Sequence, residues 1–268
     1  MCVVIIIIIK NNGSDMVNRM WNQNKKLLLV IPVYKEEKIL KKNTLKLMSF
    51  LDDNKINYQI ILSIDDSGDR SIEIGKELAN RYKNIELIIH KDKLGRGFAV
   101  REAWSKYNCD VYAFIDADLS MNLDVILDGY DMLLHEKADG IITSRYIKGA
   151  TVIRPQLRMT VSKIYNAILR VLFSDGVYDH QCGLKMITRE ARDSVLNLTH
   201  IRSWFWDAEL IVIMKSKNFV INEVPVTWVE TKYVKTSIRR LIDDAIIHGY
   251  GIVFLVRELY NIKKGKIK

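Results

Sequence analysis

Two aspartates one residue apart, Asp116 and Asp118, follow directly on the apolar run Val111–Ile115. Ionised carboxylates this close together beside apolar surface are costly unless something compensates them. A divalent cation does so, and hard oxygen ligands suit Mg²⁺ or Mn²⁺. Such an ion would bridge the phosphates of a nucleotide and neutralise a departing diphosphate. A solvated turn with Asp118 as a helix cap accounts for the same residues, so the pair alone leaves both readings open. A second pair, Asp65-Asp66, ends another apolar run (QIILSI) and enters a Ser-Gly-Asp turn. It suits an acceptor for a base or ribose, or simply a turn rich in Asx caps. A third acidic feature is the stretch Pro32-Val33-Tyr34-Lys35-Glu36. In open parallel sheets ligands bind beyond the carboxyl ends of strands, so acidic features at several such ends reinforce one another.

Basic residues form the complementary signal. Residues 141–174 carry Arg145, Lys148, Arg154, Arg158, Lys163 and Arg170 and no Asp or Glu. At the chain's overall acidic frequency about four would be expected in such a window. The window reads as a pocket for an anionic acceptor or leaving group, with a solvated basic helix face as the plainer account. Leu94-Gly95-Arg96-Gly97 precedes a helix start, where glycines let backbone N–H groups approach phosphates; an ordinary glycine turn fits equally. His180 and Cys182 lack partners at ligand spacing and read as packed loop residues. Trp204, Trp206 and Trp228 read as core packing, with one lining a cleft.

The elements that position these residues alternate. Leu27–Val33, Tyr58–Ile64, Ile85–His90, Val111–Ile115 and Gly140–Thr143 read as strands, several apolar throughout as in sheets buried on both faces. Helices are expected over Glu36–Leu51, Ser71–Tyr82, Gly97–Lys106 and Leu123–His135. This order predicts an α/β fold with parallel pairing and right-handed crossovers. Beyond residue 145 a long helix is expected over Gln156–Phe173, a loop over 174–183, a helix over Trp204–Lys217 and a strand over Phe219–Val229. A basic amphipathic helix starts at Ser237 and runs to a lysine-rich tail.

The chain has 268 residues, a formal charge of +9 and 49% hydrophobic residues, enough for a substantial core and unlike a disordered chain. Its three cysteines form no disulfide or CxxC framework, which favours a reducing setting. No apolar run reaches the about 20 residues of a spanning helix. Expected divisions are an N-terminal extension over 1–24, a catalytic domain over 25–232 and an amphipathic helical tail over 233–268, at a membrane surface or a dimer contact.

These motifs, in this order, resemble those of the inverting GT-A glycosyltransferases of family 2, especially the polyprenyl-phosphate hexosyltransferases. IPVYKEE resembles the PxYNE stretch of the first strand, IDDSGD the V-D-D-x-S motif, and LGRGFAVREA the G-K-G-x-A-x-R helix start. DADLS resembles the metal motif and TSRY the GSRY segment. DHQCGLK, WFWDAEL and EVPVTWVE resemble the late motifs, closer to the glucosyl branch. The resemblance implies the GT-A nucleotide-diphospho-sugar transferase fold, a mostly parallel sheet flanked by helices with C-terminal amphipathic helices. It implies that Pro32, Tyr34, Glu36, Ile64 and Asp66 hold the nucleoside. Arg96, Asp116, Ala117, Lys232 and Lys235 would complete the donor site. Asp118, Ser120 and Asp116 would hold Mg²⁺ or Mn²⁺, and Asp118, Arg145 and Arg158 would act in catalysis, the arginines on phosphates. Lys35 in place of Asn, Phe98 in place of a small residue and Gly149-Ala150 in place of a double glycine depart from the pattern.

The implied reaction is direct displacement at an anomeric carbon with inversion. The donor is a nucleotide-diphosphate sugar and the acceptor a polyprenyl or dolichyl phosphate. A phosphate acceptor is already anionic and needs no strong base, which fits a site rich in Arg and Lys. The implied setting is peripheral, on the cytoplasmic face of a membrane, with a homodimer or a small membrane subunit as open partners. A glycan or protein hydroxyl acceptor is the nearest alternative. A basic nucleic-acid-binding protein is a further one, but it leaves the acidic motifs unexplained, so no nucleic-acid partner is expected.

Overall fold

The computed structural model describes residues 24–230 and 238–264. The expected alternation is present, as β1 (Leu27–Val33), α1 (Leu40–Asp53), β2 (Tyr58–Asp65), α2 (Ser71–Arg81), β3 (Ile85–His90), α3 (Arg96–Lys106), β4 (Val111–Ile115), α4 (Asp124–Leu134) and β5 (Gly140–Ser144). There follow β6 (Thr151–Ile153), α5 (Gln156–Phe173), β7 (Leu184–Thr188), α6 (Arg189–Val195), α7 (Trp206–Ser216), β8 (Ile221–Pro225), β9 (Thr227–Val229) and α8 (Ile238–Lys263).

The main sheet has seven strands in the order β3-β2-β1-β4-β7-β5-β8, and β6 pairs with β9 in a separate ribbon. In β1 successive side chains feed opposite cores. Leu27, Leu29 and Ile31 pack with α1, α2 and α4. Leu28 and Val30 pack with α3 and α7. A strand buried on both faces needs apolar residues at every position, which is why LLLVIPV carries no polar alternation.

Beside the unexpected short β6 and α6, three features depart from the expected layout. First, α1 starts at Leu40 rather than Glu36, because Lys35 takes a left-handed φ of 61° and the following residues form a turn. Asn tolerates that conformation better than Lys. Second, β7 falls where no strand was expected. It lies antiparallel between β4 and β5, with Met186 opposite Ala113 on one side and Ile141 on the other. Third, the strand expected over Phe219–Val229 is two strands in two sheets. β8 closes the main sheet beside β5, and after Pro225 the chain leaves to pair with β6. Proline donates no ladder hydrogen bond, so a strand ends there readily.

Candidate active site

The carboxyl ends of β1, β2, β4 and β5 bring the expected residues to one end of the sheet. Asp116 and Asp118 stand in the turn after β4. The Asp116 N–H donates to the Gly183 carbonyl, and Asp118 Oδ1 accepts the Ser120 N–H. Between Asp118 and Ser120, Leu119 holds a φ of 45°, an uncommon conformation for leucine. The ribbon fixes this turn from outside, since the Val229 N–H donates to the Ser120 carbonyl and Met121 bridges to Trp228. The Asn43 side chain donates to the Ala117 carbonyl, tying the turn to α1.

The two carboxylates and the Ser120 hydroxyl are hard oxygens, of the kind that could hold Mg²⁺ or Mn²⁺. Gly183 leaves the space that Asp116 requires, as a Cβ there would lie 2.5 Å from Asp116 Oδ2. Among the described residues no group of three Asp, Glu, His or Cys is placed to hold a metal ion.

At the neighbouring strand ends, Asp65 Oδ2 accepts the Gly95 N–H, and Asp66 Oδ1 closes an Asx turn with the Gly68 N–H. Lys93 lies 4.4 Å from the centre of the Tyr34 ring. The Glu36 N–H donates to the Ser71 hydroxyl. Pro32 is half-buried, whereas Ile64 is fully buried in the core, so its backbone is what it can offer a ligand.

The glycines of Leu94–Gly97 are closely packed. A Cβ on Gly95 would lie 2.5 Å from the Arg202 carbonyl oxygen, and one on Gly97 2.4 Å from Trp206 Cβ. The Arg202 carbonyl itself accepts the Gly97 N–H and so occupies the start of α3. Arg96 turns the other way. It donates to Asp116 Oδ1 at 2.9 Å and to Asp207 Oδ2, with its guanidinium 5.1 Å from the Trp204 ring centre. Asp207 lies on α7, fully buried, and also receives buried Lys185 of β7 at 3.2 Å. Burial pushes the Asp207 carboxyl up against the opposing pull of Arg96 and Lys185.

Each arginine expected to act in catalysis is held by a carboxylate. Arg145 Nε and Nη2 donate to Asp179 at 2.7 and 2.9 Å in a bidentate pair, and both side chains are almost fully buried. Burial works to raise the Asp179 carboxyl, but the Arg145 charge and hydrogen bonds bring it net below the usual range. Arg154 and Arg158 both reach Glu230 just after β9. The basic window is therefore partly neutralised by acidic residues that lie outside it in sequence. Asp179, Lys185, Asp207 and Glu230 were not singled out individually, although all four sit inside the late motifs. Lys232 and Lys235 lie outside the described residues.

His180 and Cys182 are packed as expected. His180 bridges Asp175 at 2.8 Å and Asn166 of α5 at 3.0 Å, and burial pushes the Cys182 thiol up to about 11. Trp206 is fully buried and Trp228 nearly so, whereas Trp204 is 58% exposed beside Arg96.

Glu209, two residues beyond Asp207, accepts the N–H groups of His200 and Ile201 and so fastens the segment that caps α3. Burial raises its pKa from 4.5 to about 7. The folded chain therefore binds the Glu209 proton more tightly than the unfolded chain, and stability falls as the pH rises from about 4.5 to 7. The loss amounts to about 3 kcal/mol. Thermal unfolding of Glu209→Gln across that window is expected to show a flatter pH profile than the unsubstituted chain.

Comparison with known proteins shows the family and the fold. The family model for glycosyl transferase family 2 matches residues 28–196. Glycosyltransferase AglD of Haloferax volcanii is 29% identical over 205 residues, 75% of this chain and 32% of its own length. The chain thus spans about a third of that relative. A dolichyl-phosphate beta-glucosyltransferase of Trichomonas vaginalis, ALG5D, is 26% identical, covering 88% of this chain and 76% of its own. The human dolichyl-phosphate beta-glucosyltransferase is 24% identical, with 77% and 68% covered. Among solved structures, mannosyl-3-phosphoglycerate synthase from Rubrobacter xylanophilus superposes with a TM-score of 0.68 at 14% identity, covering 91% of this chain and 76% of its own. Glucosyl-3-phosphoglycerate synthase from Mycobacterium tuberculosis, in complex with Mn²⁺, UDP and glucosyl-3-phosphoglycerate, does so at 0.63 and 16%, covering 88% and 80%. These two share the fold.

Proposed function

The chain belongs to glycosyl transferase family 2, and from that premise we propose that it moves a hexose, glucose or mannose, from a nucleotide-diphosphate sugar to a polyprenyl or dolichyl phosphate with inversion. The observation that carries the donor half is the Asp116–Asp118 turn at the end of β4, braced by the β6–β9 ribbon and set beside Arg96. A divalent cation bound by Asp116, Asp118 and Ser120 would neutralise the leaving diphosphate. Pro32, Tyr34, Glu36, Asp66 and the Ile64 backbone line the expected nucleoside side. An acceptor phosphate oxygen attacks the anomeric carbon as the bond to the diphosphate oxygen breaks. No proton needs to be removed, because the acceptor is already ionised. Arg145, fixed by Asp179 through two of its nitrogens, and Arg158, fixed by Glu230, would supply oriented positive charge.

The acceptor half rests on α5. Leu157, Val161, Ile164, Ile168 and Val171 follow a four-three spacing along one face and are all exposed. That face begins at the ribbon which is hydrogen-bonded to the metal turn. Beside it α8 presents Tyr250, Val253 and Phe254 outward while Leu255 packs inward. The two helices meet where the Tyr165 ring lies 4.5 Å from that of His248. An apolar face flanked by Lys163 and Arg170 with no acidic residue suits an anionic lipid surface. A twin α5 would meet like charge. No helix among the described residues is long and apolar enough to cross a membrane. We place the protein peripherally on the cytoplasmic face, a setting consistent with the free thiols of Cys109 and Cys182. The lysine tail at 266 and 268 lies outside the described residues.

The test is a transfer assay with UDP- and GDP-hexoses, Mn²⁺ or Mg²⁺, and three acceptors: dolichyl phosphate in anionic vesicles, a free glycan and a peptide hydroxyl. Product on the lipid, with sedimentation on the vesicles at low salt, is expected. Product only on a hydroxyl acceptor would replace the lipid reading.

A further inference from the structure

The charged groups around Asp207 leave two orphaned atoms of complementary chemistry. Arg96 spans two carboxylates, with Nη1 on Asp116 Oδ1 and Nη2 on Asp207 Oδ2. Lys185 Nζ reaches the same Asp207 oxygen at 3.2 Å. Two cations therefore crowd Oδ2, while Asp207 Oδ1 is buried with no hydrogen-bond partner among the described residues. Arg96 Nε is buried in the same condition. Unsatisfied buried polar atoms are rare and ask for a reason. A guanidinium that meets a carboxylate side-on uses Nε and a terminal nitrogen against both oxygens. That pairing would satisfy both orphans at once, and it requires Arg96 to release Asp116.

We propose that Asp207 is a positioning residue that gives Arg96 two docking arrangements, a bridge to Asp116 while the site holds no divalent cation and a bidentate pair with Asp207 once a cation claims Asp116. The inference rests on the reading of Asp116 as a metal ligand. Arg96 is then a tethered counter-ion, and its exchange sets the apparent affinity of the site for metal. The surroundings suit a swing of the guanidinium rather than its departure. Its centre lies 5.6 Å from the Phe114 ring and 5.1 Å from the Trp204 ring, so an aromatic slot confines it. Lys185, anchored by the Cys182 carbonyl at 2.9 Å, supplies Asp207 with a fixed cation in both arrangements.

The test is Mn²⁺ binding to the full chain, read by electron paramagnetic resonance with UDP or GDP present. Arg96→Lys keeps the charge, but one ammonium cannot span two carboxylates, so Mn²⁺ is expected to bind about fivefold more tightly. Simple charge repulsion predicts no change for that variant, and a scaffold role predicts weaker binding. Either result overturns the proposal. Asp207→Asn removes the second dock and is expected to weaken Mn²⁺ by a similar factor. Should that variant fail to fold, the unsubstituted chain still decides. With ¹⁵N-labelled arginine, the Nε–H signal that is lost in Arg96→Lys should become protected from exchange on addition of Mg²⁺ and nucleotide. An unprotected signal would overturn the exchange. Absence of Mn²⁺ binding to the unsubstituted chain with either nucleotide would instead remove the metal assignment beneath it.

Discussion

Replacing Asp118 with alanine is expected to lower kcat for hexose transfer by about 1,000-fold or more and to abolish the Mn²⁺ dependence of nucleotide-sugar binding. Metal neutralisation of a leaving diphosphate supplies several kcal/mol at the transition state, and each 1.36 kcal/mol is tenfold in rate. The fold should survive. Asp118 is only half-buried, and its turn is also held by the Val229–Ser120 hydrogen bond and the Met121–Trp228 bridge. Thermal unfolding should therefore move by no more than a few degrees. Nucleotide-sugar calorimetry with and without Mn²⁺ separates the two effects, and undiminished transfer would withdraw Asp118 from the metal site.

Arg145→Ala is expected to act first on stability. It leaves the fully buried Asp179 without its bidentate partner, and uncompensated charges of this kind cost about 3–5 kcal/mol. For a chain of this size that corresponds to a fall in Tm of about 10 °C. Asp179 also accepts the backbone N–H groups of Arg145 and Gln181. Arg145→Met with Asp179→Leu should therefore restore only part of the loss. The lowered Asp179 pKa gives the pair a direction with pH. Its contribution is present above the ordinary carboxylate value of 3.8 and is lost as the pH falls through the folded-state value. Assays well below the variant's Tm then show what remains for chemistry. A fall in kcat assigns Arg145 to developing charge, whereas a change confined to KM assigns it to binding.

Much of the site was legible because parallel sheets give a one-dimensional rule. Runs such as LLLVIPV and VYAFI announce strands buried on both faces, and whatever follows them stands at the ligand-binding edge. That rule placed Tyr34, Asp66, Asp116 and Asp118 at one end of the sheet. It also failed where long-range pairing intervened. β7 holds the buried Lys185 as the second residue of LKMIT, which breaks the apolar pattern of a core strand. Its antiparallel insertion depends on how the chain returns after α5. Phe219–Val229 read as one strand because a single sequence does not say into which sheet each half will pair.

By itself the sequence determined the element order, the strand-end carboxylates and the excess of basic residues in 141–174, since each is written in local periodicity and residue type. Only the tertiary structure decided how those charges are spent. Arg96 meets Asp207 across 111 residues, Arg158 meets Glu230 across 72 and Arg145 meets Asp179 across 34. A buried charge must be paired where it lies in space, and sequence separation carries no information about which partner that is.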